Sequence, residues 1–149
     1  AFQPDIPQNL GGLMRLTACL GVSLAIIEPC GFPLGDRGLR RAAMDYQDKS
    51  LTKRWQSWES FLENWPEGDR LILLSTRAEK VYHKLRFRKT DCLIVGQESK
   101  GVPSKVFKAA DICVKVPLKA NLRTFNVVTA AAIVLGEALR QTGGLCDLQ

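Results

Sequence analysis

The amino-acid sequence predicts an α/β fold, a three-layer sandwich in which helices cover a mostly parallel sheet. Short apolar runs alternate with amphipathic helical segments, and the connections between them are short. The runs at 71–75 and 92–95 are largely apolar, as expected for strands that a parallel sheet buries on both faces. Because no repeat, low-complexity tract or linker interrupts this alternation, residues 1–149 are predicted to form one domain.

The first segments are predicted as a helix and a strand. The chain starts without Met, and one interpretation is that it begins inside an N-terminal strand whose first residues are missing. Apolar residues recur at helical spacing after Asn9, which predicts a helix with the Asn9 side chain as its N-cap. Arg15 lies in the first two turns of that helix, and by itself it indicates only a solvent-exposed side chain. The apolar run at 22–27 predicts the strand that follows.

A basic segment comes next, with a short helix predicted over 37–44 and Tyr46 just beyond it. Three arginines within five residues can bind a phosphate backbone while the tyrosine stacks on a base. The alternative is an ordinary solvated helix face. Aromatic residues from Trp55 to Trp65 recur at helical spacing, which predicts a helix packed into the core rather than a base-stacking surface. The three arginines are Arg37, Arg40 and Arg41.

The second half of the chain predicts three strands, over 71–75, 92–95 and 111–116. The segment 78–87 is predicted to be helical or irregular, and a short helix capped by Ser104 is predicted before the last strand. A long helix with a small-residue face follows from Val127, so that another helix or backbone can approach closely. Ligand sites in α/β sheets form at the carboxyl ends of strands, which favours the polar loop before this helix. That loop carries Asn121, Arg123, Thr124 and Asn126.

Composition narrows the function. The formal net charge of +6 indicates an anionic partner such as RNA or DNA. Five cysteines without C-x-x-C spacing and one histidine predict no metal site, but free buried thiols in a reducing cytoplasm. No apolar run reaches the roughly 18 residues of a membrane helix, and the start does not resemble a signal peptide. The usual dinucleotide, P-loop and serine-hydrolase motifs are absent.

Three short motifs occur in order along the chain. They read N-x-G-x-x-x-R at 9–15, G-x-E-x-x-G-V-P at 96–103, and V-P followed by R-T-x-N-x-x-x-A at 116–130. Together they resemble the knotted RNA methyltransferases of the SpoU-TrmD (SPOUT) superfamily, and most closely the TrmL-type members. The stretches E-P-x-G-F and L-R-R-A-x-x-D-Y also resemble TrmL, so the similarity covers essentially the whole chain.

The resemblance implies a deep trefoil knot within 71–141 and a homodimer formed by the knots and the first helix. It further implies that S-adenosylmethionine binds in the knot and leaves as S-adenosylhomocysteine. Gly96 suits such a pocket because a residue without Cβ lets a ligand approach the backbone. The positions that correspond to the cofactor pocket are Leu74, Gly96, Val116 and Thr124.

The activity implied is methylation of the ribose 2′-hydroxyl of the wobble cytidine or uridine of tRNA, in the cytoplasm. Alternatives are the same reaction on ribosomal RNA or another tRNA nucleotide, or a non-catalytic RNA-binding dimer. By resemblance, Arg15, Asn9 and Asn126 are the catalytic candidates. Departures from the family pattern occur at Phe125, Val128 and Gly136. The residues expected to recognise RNA are Arg37, Arg40, Arg41 and Arg123.

Overall fold

The computed structural model describes residues 1–35, 37–43, 46, 51–146 and 148. The chain divides into two compact units. Unit 1 contains Ala1–Pro66 together with Gly96–Lys100, and unit 2 contains Glu67–Val95 together with Gly101–Gln149. Each unit combines helices with a parallel sheet, which confirms the predicted α/β class.

Unit 1 is built on a two-stranded parallel sheet of Leu24–Ile27 (β1) and Thr52–Trp55 (β2). The strands are in register from the Leu24–Thr52 pair to the Ile27–Trp55 pair. Phe2 adds a parallel bridge to Ile27. Chain order in unit 1 is α1 Pro7–Cys19, β1 Leu24–Ile27, α2 Arg37–Ala43, β2 Thr52–Trp55 and α3 Trp58–Glu63.

Aromatic rings form part of the core of unit 1. Trp58 and Phe61, both in α3 and both buried, stack with their ring centroids 5.4 Å apart. Phe2 meets Trp58 edge-on at 6.0 Å. Such pairs bury large apolar surfaces and hold specific geometries. The prediction that this aromatic run packs in the core is confirmed for Trp58 and Phe61.

Unit 2 contains a four-stranded parallel sheet. Its strands lie in the order Lys80–Val81 (β4), Ile112–Lys115 (β6), Leu71–Leu74 (β3) and Cys92–Ile94 (β5). The two central strands pair from Ile72–Ile112 to Leu74–Val114. The buried core of this unit consists of Ile72, Leu85, Phe87, Val114 and Val134. Chain order in unit 2 is β3 Leu71–Leu74, β4 Lys80–Val81, a 3₁₀ turn Tyr82–Lys84, β5 Cys92–Ile94, α4 Ser104–Ala109, β6 Ile112–Lys115 and α5 Val127–Thr142.

Two predicted helix caps are wrong. Helix α1 begins at Pro7, with Ile6 in the N-cap position and no side-chain cap, so Asn9 lies inside the first turn. Proline suits the first helical position because the missing N–H would have no partner there. Helix α4 likewise follows Pro103, and Ser104 is its first residue rather than its cap.

Two further predictions are wrong in detail. Trp55 ends strand β2, and α3 begins only after Ser57, whose hydroxyl accepts a hydrogen bond from the Ser60 amide at 3.0 Å. The segment 78–87 contains the short strand β4, which pairs with β6 from Lys80–Val114. A two-residue strand has no period of its own in the sequence, so only its pairing partner reveals it.

The cysteines differ from the prediction of buried thiols. All five are free, but Cys19 and Cys146 are exposed and the other three are only partly buried. Burial raises the pKa of Cys30 to about 11, so this thiol stays protonated near neutral pH. Among the helices of the described residues, none is long and apolar enough to cross a membrane.

Candidate active site

Gly11, the glycine of the first motif, lies at a close contact between α1 and α2. A Cβ placed on Gly11 would lie 2.5 Å from the Cβ of Ala42 and 2.8 Å from the Ala43 nitrogen. Real Cβ atoms do not approach other atoms so closely, so the motif glycine is required for helix packing. The same contact fixes the position of α2, which carries the three arginines, against α1.

Arg15, the last residue of the first motif, lies on the exposed side of α1. Its guanidinium carbon is 5.6 Å from the centre of the Tyr46 ring, within the range of a cation–π contact. The contact orients a permanently charged group without burying it. Arg15 therefore stays exposed at the surface, where its charge can bind an anion.

Asp5, just before α1, binds the loop that contains the second motif. Its Oδ1 accepts a hydrogen bond from the Glu98 amide at 3.0 Å, and its Oδ2 accepts one from the Ser99 amide at 3.3 Å. The Ser99 hydroxyl donates to the same Oδ2. The Asp5 amide in turn donates to Glu98 Oε2 at 3.5 Å. These contacts join segments 93 and 94 residues apart within unit 1.

The two carboxyl groups of this contact have opposite pKa shifts. A hydrogen bond from the Glu98 side chain, together with those from Ser99 and the loop amides, holds the pKa of Asp5 well below its usual range. Burial first, and the hydrogen bond to Asp5 second, raise the pKa of Glu98, while a hydrogen bond with Asn9 lowers it. The hydrogen bonds thus favour the charged form of Asp5, and burial favours the protonated form of Glu98.

A glycine allows Asp5 to reach this position. A Cβ on Gly31 would lie 2.9 Å from both the Cα and the Cβ of Asp5. The Gly31 amide also donates to the Pro4 carbonyl at 2.9 Å, next to Asp5 in the chain. The loop that carries Gly31 follows β1 and contains the cis peptide bond Glu28–Pro29.

In unit 2, two of the predicted cofactor residues lie at neighbouring strand ends. Leu74 is the last residue of β3, and Val116 directly follows β6; both are half-buried and pack on the core of unit 2. The Ser75 amide continues the pairing by donating to the Val114 carbonyl at 2.9 Å. Because β3 and β6 are parallel, their carboxyl ends share one edge of the sheet.

The polar loop before α5 is held by its own side chains. The Thr124 hydroxyl donates to the Phe125 carbonyl at 3.0 Å. Asn126 is the N-cap of α5, with its Oδ1 accepting from the amides of Val128 at 2.9 Å and Thr129 at 3.4 Å. Asn126 therefore has a structural role that the motif did not indicate, since its oxygen satisfies the helix N-terminus. Arg123 and Thr124 are exposed.

A family model described as the SpoU rRNA methylase family matches residues 1–136. The chain belongs to this family. A relative from Beijerinckia indica named tRNA (cytidine(34)-2′-O)-methyltransferase is 53% identical over 99% of this chain and 92% of its own length.

Two solved structures resemble this fold. One, from a study of the 2-OH methylation of C/U34 on tRNA, is 37% identical with a TM-score of 0.88, covering 94% of this chain and 86% of its own. The other is the SpoU methyltransferase AviRb from Streptomyces viridochromogenes, in complex with the cofactor AdoMet. It has a TM-score of 0.83 and covers 94% of this chain and 58% of its own, but at 20% identity it shows the fold alone.

The basic helix of this SpoU methylase is exposed as its charge suggests. Arg37, Arg40 and Arg41 lie on the solvent side of α2, whereas Leu39 and Ala43 are buried. Arg40 donates to the Gly35 carbonyl at 2.9 Å, which steadies one guanidinium. The arrangement suits phosphate contacts, and RNA binding by these residues stays a prediction.

Two residues with roles at the motifs were missed in the sequence. Asp5 lies four residues before Asn9, the start of the first motif, and its only signal in the sequence was a carboxylate shortly before a helix. Arg77, after β3, donates to the Val102 carbonyl of the second motif at 3.3 Å and lies 4.9 Å from the centre of the Phe107 ring. No pattern of spacing connects Arg77 with residues 25 and 30 positions away.

Potential metal-ligating side chains do not cluster in the described part of the chain. Within residues 1–35, 37–43, 46, 51–146 and 148, no group of three or more His, Cys, Asp or Glu side chains could hold a metal ion.

Proposed function

We propose that this protein transfers a methyl group from S-adenosylmethionine to the ribose 2′-hydroxyl of the wobble nucleotide, cytidine or uridine 34, of tRNA. The observation that carries the proposal is the 53% identity, over 99% of the chain, with a relative named for this reaction. The solved structure with a TM-score of 0.88 comes from work on the same methylation.

Leu74, Gly96, Val116 and Thr124 are the residues we propose to hold S-adenosylmethionine. The half-buried apolar side chains of Leu74 and Val116, at adjacent strand ends, suit the faces of an adenine ring. Thr124 adds a hydroxyl, and the loops at the strand ends supply backbone amides and carbonyls that can read the edge of a base. When bound, the cofactor supplies a methyl group on a sulfonium, which is already an activated leaving group.

The residues of the chain then have mainly to align the reactants, and orientation of this kind can supply about 7–11 kcal/mol. When bound, S-adenosylmethionine would supply its methyl carbon to the ribose 2′-oxygen, with S-adenosylhomocysteine as the leaving group and the hydroxyl proton passing to water. Because a guanidinium is permanently charged, we assign Arg15 to the neighbouring phosphate and the developing negative charge rather than to a general base. We propose that Asn9 and Asn126 orient either the ribose hydroxyl or the loop of the protein beside it.

The proposed function also includes a domain organisation, a dimer and a set of RNA-binding residues. Residues 1–149 form one methyltransferase domain with a trefoil knot within 71–141, and two copies associate through the knots and α1. Arg37, Arg40, Arg41 and Arg123 bind the tRNA backbone in the cytoplasm. The +6 net charge and the exposed positions of these arginines support this role.

The test is transfer of labelled methyl from S-adenosylmethionine to tRNA from cells that lack wobble ribose methylation, followed by mapping of the modified nucleotide. We expect label at the 2′-oxygen of nucleotide 34. Arg15→Ala should lower kcat by at least about 100-fold, the usual scale for removal of an electrostatic stabiliser, while cofactor affinity stays close to that of the wild type.

Each other result has a distinct meaning. Label at a different tRNA nucleotide, or on ribosomal RNA alone, would show that the enzyme has a different substrate from the one proposed. Failure of Arg15→Ala to bind the cofactor would move Arg15 into the cofactor site. Absence of both label and S-adenosylmethionine binding in the wild type would reduce the protein to a non-catalytic RNA-binding dimer.

A further inference from the structure

We propose that Asp5 is a positioning residue for the loop Gly96–Ser99, and that it sets the affinity for S-adenosylmethionine through that loop. This role rests on the proposed function and deepens it, since it takes Gly96 as a cofactor residue. Asp5 itself is not proposed to touch the cofactor, the RNA or the reacting atoms.

The first support is the number and direction of the hydrogen bonds. Both Asp5 oxygens are acceptors for the loop, from the Glu98 amide at 3.0 Å, the Ser99 amide at 3.3 Å and the Ser99 hydroxyl. Bonds to a charged acceptor are stronger than neutral ones. The loop is therefore hydrogen-bonded to one carboxylate at two consecutive residues, close after Gly96.

The second support is that Asp5 itself is rigidly placed. The Pro4 carbonyl accepts from the Gly31 amide at 2.9 Å, and Gly31 lacks the Cβ that would strike Asp5. The Asp5 amide also donates to the Glu98 side chain at 3.5 Å. The loop is thus hydrogen-bonded to a residue whose backbone is itself held, through the adjacent Pro4, to the loop after β1.

The consequence for binding is thermodynamic. A loop that is ordered before the ligand arrives does not have to be ordered at the moment of binding, so preorganisation increases affinity. Removal of the Asp5 hydrogen bonds should therefore weaken cofactor binding while the chemical step, once the cofactor is bound, proceeds at a similar rate. An effect on cofactor binding without an effect on the chemical step distinguishes a positioning role from a catalytic role and from a general loss of stability.

The test uses Asp5→Asn in the full chain. Asparagine keeps one acceptor oxygen, but it removes the charge and presents an NH₂ group to the Ser99 amide, where two donors then face each other. We expect Kd and KM for S-adenosylmethionine to rise about 10-fold, the scale of one hydrogen bond to a charged group. The value of kcat at saturating cofactor should stay within about 3-fold of wild type. Glu63→Gln, a change at an exposed residue of α3, is the charge control and should leave both constants unchanged.

A double-mutant cycle connects Asp5 to the loop. Ser99→Ala removes the hydroxyl contact alone and should raise Kd about 3-fold; combined with Asp5→Asn it should add little, because both changes act on the same contact. If Asp5→Asn does not fold, Ser99→Ala still carries the test. Fully additive effects, or a Kd unchanged in Asp5→Asn and in Ser99→Ala, would overturn the proposal.

Failure of the proposed function gives a different result. If wild type binds S-adenosylmethionine but methylates no tRNA, the substrate assignment fails while the Kd series still tests Asp5 by calorimetry. If wild type methylates tRNA and Asp5→Asn has wild-type Kd and KM, the positioning role fails alone. If wild type does not bind S-adenosylmethionine, both the proposed function and the role of Asp5 are overturned.

Discussion

At the scale of single residues, the contact between Asp5 and Glu98 shows how environment divides two similar side chains. Both are carboxylic acids with ordinary pKa values of 3.8 and 4.5. Asp5 lies among N–H and O–H donors, which stabilise its charge. Glu98 is partly buried beside that charge, which favours its protonated form. The opposite shifts of the two pKa values favour one protonated and one charged carboxyl group, where two like charges would repel.

The sign of the resulting pH dependence follows from the raised pKa of Glu98. Stability from its protonated form is present below about pH 4.5 and disappears as the pH rises through the folded-state pKa. Asp5, with its lowered pKa, contributes stability above about pH 3.8 that disappears only in stronger acid. Between the two folded-state pKa values the pair holds one proton, which is its favourable state.

Glu98→Gln isolates the contribution of Glu98, because a glutamine amide can still donate to Asp5 but does not titrate. We expect the free energy of unfolding of this variant, relative to wild type, to increase as the pH rises above about 4.5 and then to level off. Urea unfolding from about pH 4 to about pH 9 measures it. A difference that stays constant over this range would contradict the assignment of the proton to Glu98.

At the scale of elements, the glycine of the first motif explains how α1 and α2 pack. Sequence patterns for helices normally count glycine as a weak point, because it costs about 0.5–1 kcal/mol relative to alanine within a helix. Gly11 is retained because the backbone of α2 at Ala43 and the side chain of Ala42 occupy the space of a Cβ. Glycine is therefore required at position 11 by the close approach of the two helices, although its helix propensity is low.

Gly11→Ala is therefore expected to destabilise the protein by about 1–3 kcal/mol, the usual cost of overpacking, despite its better helix propensity. The matched control is Gly136→Ala in α5, where an added Cβ meets no atom within 4 Å in this chain. That change should be neutral or stabilise by up to about 1 kcal/mol. Chemical denaturation of both variants measures the difference. Equal effects of the two substitutions would show that the α1–α2 contact adjusts without cost.

At the scale of the whole molecule, charge is the property that bears on RNA binding. The chain has 21 basic and 15 acidic residues, which gives the net charge of +6. Some of the basic residues are neutralised locally; Arg70, for example, makes two hydrogen bonds to Asp91 at 2.8 and 2.7 Å. The three exposed α2 arginines are better candidates for contact with phosphates than such paired residues.

Substituting Arg37 and Arg41 by Gln should weaken tRNA binding and flatten its salt dependence. For every phosphate that the variant no longer contacts, the slope of log K against log salt concentration should fall by about 0.7–0.9. Arg140→Gln is the control, because that arginine is paired with Glu137 at 2.8 Å on α5. Filter binding of tRNA over a range of salt concentrations gives the slopes. A slope unchanged in the α2 double variant would place the RNA elsewhere.

The sequence by itself determined the α/β class, most helices and strands, the small-residue face of α5 and the three motifs of the methyltransferase family. Those features depend on local periodicity and on residue type, which a linear pattern records. The helix starts at Pro7 and Ser104 were misplaced because several residues in a row can cap a helix, and the choice depends on the entering backbone.

Only the tertiary structure decided which residues meet across the chain. The contact of Asp5 with Glu98 and Ser99, the space that Gly31 leaves for Asp5, and the pairing of β4 with β6 join residues far apart in sequence. No period or spacing specifies such partners, because they follow from how parallel strands are ordered and how loops at their ends converge.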